Sequence, residues 1–395
     1  MAYPPRVTDV VLNPGRDRSL RRRHPWVLSG SVARVEGPAA PGVLARVLSA
    51  EGETLGYGDL SPHSAIRVRC LHFGKDPLPE DWLRERITRA VARRAAHPLV
   101  ADTDAVRLVN AEGDGLPGLV ADRYADVVVV KLGSAGMIER REAIAAALRE
   151  ATGAARGFER ADPSAARQEG LPAREGPLWG DAPAEPVAFH ERDRRYHADV
   201  VRGQKTGFYL DQRDARDLVA CVARDRRVLD LFSYTGAFAV AAARGGARSA
   251  VCVDSSASAL ALAKLELEEG APGFDAALFE GDAFEFVRHD EGRYDLVVVD
   301  PPPLARKQRD VPRAARAYKD VLLHALRRAE SGALVLAFSC SHHVGAELFR
   351  KIAFGAALDA GRPARFLRAL GAPADHPVSL DHPEGEYLCG LLLEL

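Results

Sequence analysis

The sequence predicts an α/β chain that ends in a doubly wound parallel sheet, and three observations predict it. From about Val187 short apolar runs alternate with helix-friendly stretches, acidic residues stand at the ends of successive runs, and before Gly74 the chain is instead cut by Gly and Pro into short β-like pieces. At 395 residues the chain exceeds one ordinary core and suits two or three domains.

The first pieces, "VTDVVLN", "PGVLARVLSA", "TLGYGDL" and "SAIRVRCL", read as a small β-barrel or β-rich module. Within it, "RDRSLRRRHPWVLSGSV" sets Arg21, Arg22 and Arg23 before His24 and Trp26, and Met1 to His24 holds six arginines against two aspartates, a local +4. Guanidiniums beside an aromatic suit phosphate and base contacts; the same string also fits a solvated amphipathic helix with Trp26 as a core plug. "PEDWLRERITRAVARRA" predicts a helix through Trp82, Leu83, Ile87, Ala90 and Val91. The stretch from Val106 to Leu132 then reads as strand, Gly/Asp/Pro turn and two strands, followed by a helix from Ile138 to Glu150, so a β-α-β middle domain is expected. Asp162 to Pro183, rich in Pro, Gly and charge, reads as loop.

The last part supplies strands "RVLDLF", "SAVCVD", "AALFE", "DLVVVD" and "ALVLAFS", joined by helices over Ala237–Arg244, Ala257–Glu269, Ala283–His289, Arg313–Ala329 and Ala346–Ala360, and closes on "RFLRALG" and "YLCGLLLEL". A formal net charge of -1 excludes global attraction to a polyanion and leaves any basic patch local. With no run of eighteen apolar residues and no secretory start, the chain is expected to be soluble and cytoplasmic, with no membrane partner. Its cysteines, Cys70, Cys221, Cys252, Cys340 and Cys389, form no CxxC pair, so reduced thiols are expected.

In open α/β sheets ligands bind beyond the carboxyl ends of the strands. The first end is "LDLFSYTGAF", where Asp230 is followed by Phe232, Ser233, Tyr234, Thr235 and Gly236; it is not GxGxxG, which disfavours a dinucleotide. Asp254 with Ser255 ends the second strand, where a carboxylate can take both hydroxyls of a ribose, and Asp282 with Ala283 follows the third, within reach of an adenine amino group. Ribose- and adenine-binding acids without a phosphate nest fit S-adenosylmethionine (SAM) better than NAD or ATP. Each acid alone also suits a helix N-cap. The fourth strand delivers "VVVDPPP", in which Asp300 and Pro301 leave the sheet rigidly, and "GQKTGFYLDQR" brings Lys205, Asp211, Gln212 and Arg213 just ahead of the first helix of this part.

Taken in order, "RRHPWVLSG", "SPHSAIRVR", "RLVNAEGDGLPGLVADRY", "KTGFYLDQRD", "LFSYTGAFAV", "VDPP", "FSCS", "ADHPV" and "EGEYL" resemble the RlmI family of 23S ribosomal RNA cytosine-5 methyltransferases over nearly the whole chain. The resemblance implies a PUA RNA-binding pseudobarrel over 1–75, a small α+β domain over 76–190, and over 191–395 a class I Rossmann-like methyltransferase domain with a seven-stranded sheet and a terminal antiparallel hairpin. It implies SAM as cofactor, held by Gln212, Asp230, Phe232, Ser233, Tyr234, Thr235, Gly236, Asp254, Ser255, Asp282, Ala283, Asp300 and Pro301. It further implies 23S ribosomal RNA or a large-subunit assembly intermediate as partner, met by Arg21, Arg22, Arg23, His24, Trp26 and Lys205, with a homodimer left open. Pro303, Ala237 and Cys389 depart from the family pattern, which has a basic residue, a glycine and a lysine there.

Cytosine carbon 5 is a poor nucleophile until a thiolate adds at carbon 6, and Cys340, at the carboxyl end of the fifth strand, is the candidate for that addition. Asp300 could hold the base at N3 and stabilise the adduct. Pro303 occupies the place of a second cysteine, so another group or water must remove the carbon-5 proton. His342 and His343 either lower the thiol's pKa or cap the next helix; the other four cysteines fit core positions, and no residue cluster proposes a metal. Two rivals remain: a methyltransferase for another base, such as guanine N7, on the same scaffold, and a ribosome-assembly factor that binds RNA without turnover.

Overall fold

The computed structural model describes residues 8–395. Val7, which opens the first predicted run, and Arg6, counted in the basic segment, lie outside them. The described residues form two compact units: the first comprises residues 8–187, 198–208 and 374–385, the second residues 188–197, 209–373 and 386–395.

The first unit opens with β1 (Thr8–Leu12), the short helix α1 (Arg18–Arg21), β2 (Trp26–Leu28), β3 (Val32–Glu36), β4 (Leu44–Leu48), β5 (Thr54–Leu60) and β6 (Ile66–Phe73). These strands make one six-stranded sheet in the order β2-β6-β5-β4-β1-β3 around Val10, Leu12, Val27, Val47, Leu60 and Val68. Helix α2 (Trp82–Ala95) turns its buried Trp82, Leu83, Ile87 and Ala90 onto the next sheet, formed by β7 (Ala105–Asn110), β8 (Leu119–Tyr124), β9 (Val127–Leu132), β10 (Arg156–Glu159) and β11 (Gly176–Trp179). Between β9 and β10 the predicted single helix is two, α3 (Ala135–Glu139) and α4 (Arg141–Thr152). The break falls at Arg140 (φ −95°, ψ 16°), and within α3 Gly136 comes so near β5 that a Cβ there would lie 1.8 Å from Asp59 Oδ2. The close approach lets Arg140 pair with Asp59 of β5 at 2.8 Å, although burial still lifts that carboxyl to about 6.

The predicted loop from Asp162 to Pro183 is also corrected: it holds α5 (Pro163–Glu169) and strand β11. The Asp162 side chain accepts from the Ala165 amide and a proline fills the first helical turn, so two local signals outweighed the Pro/Gly/charge composition. Residues 374–385 return to this unit through Arg94, which donates to the Asp375 carbonyl at 3.0 Å, and Asn110, which donates to that of Pro377 at 2.9 Å.

A two-stranded sheet, β12 (Val187–Glu191) with β13 (Arg194–Ala198), precedes the second unit's helix α6 (Arg213–Val222). The order then follows the predicted alternation: β14 (Arg227–Leu231), α7 (Ala237–Arg244), β15 (Ser249–Asp254), α8 (Ala257–Gly270), β16 (Ala276–Glu280), α9 (Ala283–His289), β17 (Tyr294–Val299), α10 (Val311–Arg328), β18 (Ala329–Ser339), α11 (Ala346–Ala360), β19 (Arg365–Leu370) and β20 (Cys389–Glu394). The seven strands lie in the order β16-β15-β14-β17-β18-β20-β19. The first five are parallel, and β20 runs antiparallel to both β18 and β19. This is the class I Rossmann-like methyltransferase sheet with its terminal hairpin. The inner strand β17 reads "YDLVVV", apolar without alternation, because helices cover both faces. Among the described residues no helix is long and apolar enough to cross a membrane.

Candidate active site at the strand ends

The residues of the candidate cofactor and catalytic site lie in the second unit, at the carboxyl ends of β14, β15, β16, β17 and β18 and on the segment leading into α6. Adjacent parallel strands carry their acids to one edge of the sheet. Beyond β14 the chain makes a tight turn in which Phe232 (φ 62°), Tyr234 (φ 48°) and Gly236 (φ 68°) are all left-handed. Two of the three are not glycine, so the turn stores strain that the surrounding bonds must hold. Asp254 supplies them: its carboxylate accepts from the Tyr234 amide at 2.8 Å and the Ser256 amide at 2.9 Å. Each oxygen keeps a further lone pair for a hydroxyl. Gly236 itself faces α8, where a Cβ would stand 3.1 Å from that of Ala263.

The turn is rich in buried polar atoms without a partner. Among the described residues both carboxylate oxygens of Asp230, the hydroxyls of Ser233 and Thr235, and Gln212 Oε1 are buried and meet no hydrogen-bond partner. Such atoms cost free energy unless something satisfies them. Burial, then the charges of Asp300 and Asp254, push the Asp230 carboxyl well above its ordinary range. A ligand bringing an ammonium group and hydroxyls meets this donor and acceptor set, and the methionyl and ribosyl parts of SAM bring both. Phe232 packs edge-on to Phe284 at 5.4 Å, beside Ala283, which is buried, whereas Ser255 is exposed. Asp282 is exposed and caps α9, its Oδ1 accepting from the Phe284 and Glu285 amides at 2.7 and 3.1 Å, which leaves Oδ2 outside the cap.

Gln212 and Asp300 are 88 positions apart, and the fold joins them: Gln212 Nε2 donates to Asp300 Oδ2 at 2.8 Å. The segment bearing Gln212 is propped by fully buried Arg216, which donates to the Tyr209 carbonyl at 2.8 Å while forking onto Glu191. Tyr209 stands edge-on to Tyr234 at 5.4 Å, and burial, then Asp300 and Asp211, raise its phenol pKa. Asp211 also accepts from Tyr387 at 2.6 Å, a partner from the far end of the chain that sequence reasoning left as part of a motif without a role.

Cys340 follows β18, half-buried, with Sγ 3.8 Å from the carbonyl of Pro301, the residue after Asp300. The strand order that places β18 beside β17 therefore brings the thiol to the Asp-Pro loop. His342 and His343 are exposed, and Gly345 is the N-cap of α11, so neither histidine caps it. Cys70 and Cys252 are buried, and burial pushes the first thiol up to about 12 and the second well up; Cys389, half-buried, rises to about 11. Cys221 is exposed on α6 instead of lying in the core.

The residues read as RNA-binding lie in the first unit. Arg22 is exposed, and Arg23, with 72% of its side chain open, stands 3.9 Å from Asp381, while Arg21 is drawn closer, to Asp17 at 2.6 Å and Glu53 at 2.5 Å. Lys205 is half-buried at φ 51°. His24 and Trp26 join a packed group with Glu112, His382 and Glu384: Trp26 Nε1 donates to Glu112 at 2.8 Å, and its ring meets His382 at 4.5 Å. The ligating atoms of His24, His382 and Glu384 lie within 4.8 Å of one another, a grouping that distant sequence positions concealed. His24 Nδ1 accepts from the Trp26 amide at 3.1 Å, so the neutral ring carries its proton on Nε2, which faces Glu384 at 3.2 Å. That tautomer makes a hydrogen bond to Glu384 and turns no lone pair toward a cation.

Comparison with known proteins identifies the fold and the family. Residues 10–73 match the PUA-like domain, and residues 113–359 match the S-adenosylmethionine-dependent methyltransferase family. Two solved structures, a putative SAM-dependent methyltransferase from Streptococcus mutans and a putative methyltransferase complexed with SAH, superpose with TM-scores of 0.81 and 0.82 over 98% of this chain and 100% of theirs; at 22% and 23% identity they show the fold. The ribosomal RNA large subunit methyltransferase I of Alteromonas mediterranea is 40% identical over 393 residues, 98% of each chain, and that of Shewanella amazonensis 40% identical over 388, covering 97% of this chain and 98% of its own. At that identity over almost all of both chains, this chain belongs to the RlmI family of SAM-dependent methyltransferases.

Proposed function

We propose that this methyltransferase acts on carbon 5 of a cytosine in 23S ribosomal RNA, in the cytoplasm, through a covalent adduct with Cys340. The observation that carries the reading is the thiol's place at the end of β18, half-buried and 3.8 Å from the carbonyl that follows Asp300. Relatives named for large-subunit ribosomal RNA, and a PUA-like domain whose Arg22 and Arg23 stay open, support RNA as the substrate.

The Cys340 thiolate adds to carbon 6, which turns the ring into an enamine with electron density at carbon 5. Bound SAM supplies the electrophilic methyl group that carbon 5 takes up. Asp300, held by Gln212, stands beside the thiol's loop and stabilises charge at N3 of the adduct. Loss of the carbon-5 proton and elimination of the thiolate restore the aromatic ring. Asp254 takes the ribose hydroxyls of SAM, Asp230, Ser233 and Thr235 its polar methionyl end, and Asp282 the adenine amino group. The target base must leave its stack to reach a thiol at a strand end.

RNA containing 5-fluorocytidine tests this reading, because fluorine cannot leave as the proton does. The expected result is a covalent protein–RNA complex that maps to Cys340 and is lost in Cys340→Ala together with methyl transfer. Sustained transfer by Cys340→Ala would sink the cytosine-5 assignment and favour another base.

A further inference from the structure

The serines on either side of Cys340 are buried, Ser339 fully and Ser341 to within 2%, whereas Cys340 is half-exposed. Extended chain at a strand tip alternates its side chains, so burying both neighbours turns the thiol the other way. Both hydroxyls meet Tyr318 of α10: Ser339 Oγ lies 3.1 Å and Ser341 Oγ 3.0 Å from the phenolic oxygen. Ser341 Oγ also accepts from the amides of Leu304 at 3.0 Å and Ala305 at 3.2 Å, in the loop that Asp300 begins. A hydroxyl has two lone pairs and one proton. With both lone pairs of Ser341 taken by those amides, its proton goes to Tyr318, which accepts from both serines. One buried phenol thus ties the strand bearing the thiol to the loop bearing the carboxylate.

We infer that Tyr318 is a positioning residue for methyl transfer, fixing the Cys340 thiol against the Asp300 loop through Ser339 and Ser341. The inference rests on the proposed role of Cys340 and goes beyond it, because Tyr318 sits on a helix and touches no reacting atom. Burial raises its pKa, so the phenol stays neutral and the network carries no charge of its own. Its ring is held independently, edge-on to Phe349 at 5.5 Å, so removing the hydroxyl leaves the packing in place.

Tyr318→Phe deletes the one oxygen that both serines share. Misplacement of a reacting group by about 1 Å costs up to roughly 100-fold in rate. The expected result, at a temperature where the variant is folded, is a fall of about 10-fold or more in kcat and in the single-turnover rate of 5-fluorocytidine adduct formation, with KM for RNA and Kd for SAM within about twofold of the parent. Ser341→Ala should reproduce the split, and the double variant should lose little more, because both act through one network. Should Tyr318→Phe not fold, Ser341→Ala alone decides by the same split. Unchanged kcat, or a loss of SAM affinity that matches the loss of rate, would overturn the inference while leaving the role of Cys340 intact. Turnover by Cys340→Ala would remove that role and the inference with it.

Discussion

The tips of β14 and β18 stand two strands apart on one sheet and treat their polar atoms in opposite ways. At the tip of β14 and in the turn after it, Asp230, Ser233 and Thr235 are buried with oxygens that meet no partner among the described residues. At the tip of β18, Ser339 and Ser341 are equally buried, and their hydroxyls are matched to Tyr318 and to the amides of Leu304 and Ala305. A tip with unmatched atoms is less stable alone and gains when a ligand satisfies it; a matched tip is stable alone and holds its outward residue still. On the proposed function, the first receives SAM and the second presents a thiol.

The largest effect is expected at Asp254, which holds the turn after β14 and is the acid proposed for the ribose. Asp254→Ala removes the acceptor that holds Tyr234 at φ 48° and the carboxylate proposed for the ribose hydroxyls. Two hydrogen bonds to a charged group are worth roughly 3 kcal/mol together, so calorimetry should find SAM affinity lower by about 100-fold. A fall of less than about threefold would show that the ribose sits elsewhere.

A pair of substitutions tests the contrast itself by the sign of the stability change. Ser341→Ala leaves two buried amides without an acceptor and should destabilise the protein by roughly 2 kcal/mol. Asp230→Asn removes a buried carboxyl whose charged form burial disfavours; it should stabilise the SAM-free protein by about 1 kcal/mol, raising its thermal midpoint, while weakening SAM. The pH dependence follows from the raised carboxyl pKa. The folded state holds the Asp230 proton more tightly than the unfolded chain, so its contribution is fully present below about pH 4 and is lost as pH rises through the higher folded value. Thermal midpoints of parent and Asp230→Asn should therefore diverge in favour of the variant as pH rises above about 4. Equal midpoints at all pH values would mean that the β14 tip is already satisfied.

Much of this contrast was legible in the sequence. Alternating apolar runs predicted the five parallel strands and the closing hairpin within a residue or two at most ends, because each run must bury itself between helices. The acids announced themselves at strand ends, and Cys340 by its position after "LAFS". What stayed hidden was pairing across long separations. Tyr318 reads as one more buried position on an amphipathic helix, and nothing local shows that its hydroxyl meets serines 21 and 23 positions on. Gln212 with Asp300, Tyr387 with Asp211, and the grouping of His24, Trp26 and His382 are hidden for the same reason. The loop reading of residues 162–183 failed differently: composition outweighed a capping aspartate followed by proline, a local helix start that was there to be read.

The smallest effect is expected at Asp282, where the two readings of a strand-end acid separate. As a cap, Asp282 contributes about 1 kcal/mol, so Asp282→Ala should lower the thermal midpoint by roughly 2–4 °C. Asparagine caps a helix as well as aspartate does, so Asp282→Asn should leave the midpoint unchanged. The carboxylate oxygen outside the cap is the one available to an adenine amino group, and an amide in its place can turn a donor toward that group. If Asp282 serves SAM as well as α9, Asp282→Asn weakens SAM by a few-fold with no loss of stability; if affinity and midpoint both hold, the exposed acid is a cap alone, and recognition of the adenine falls to the carbon-rich neighbours Phe284 and Ala283.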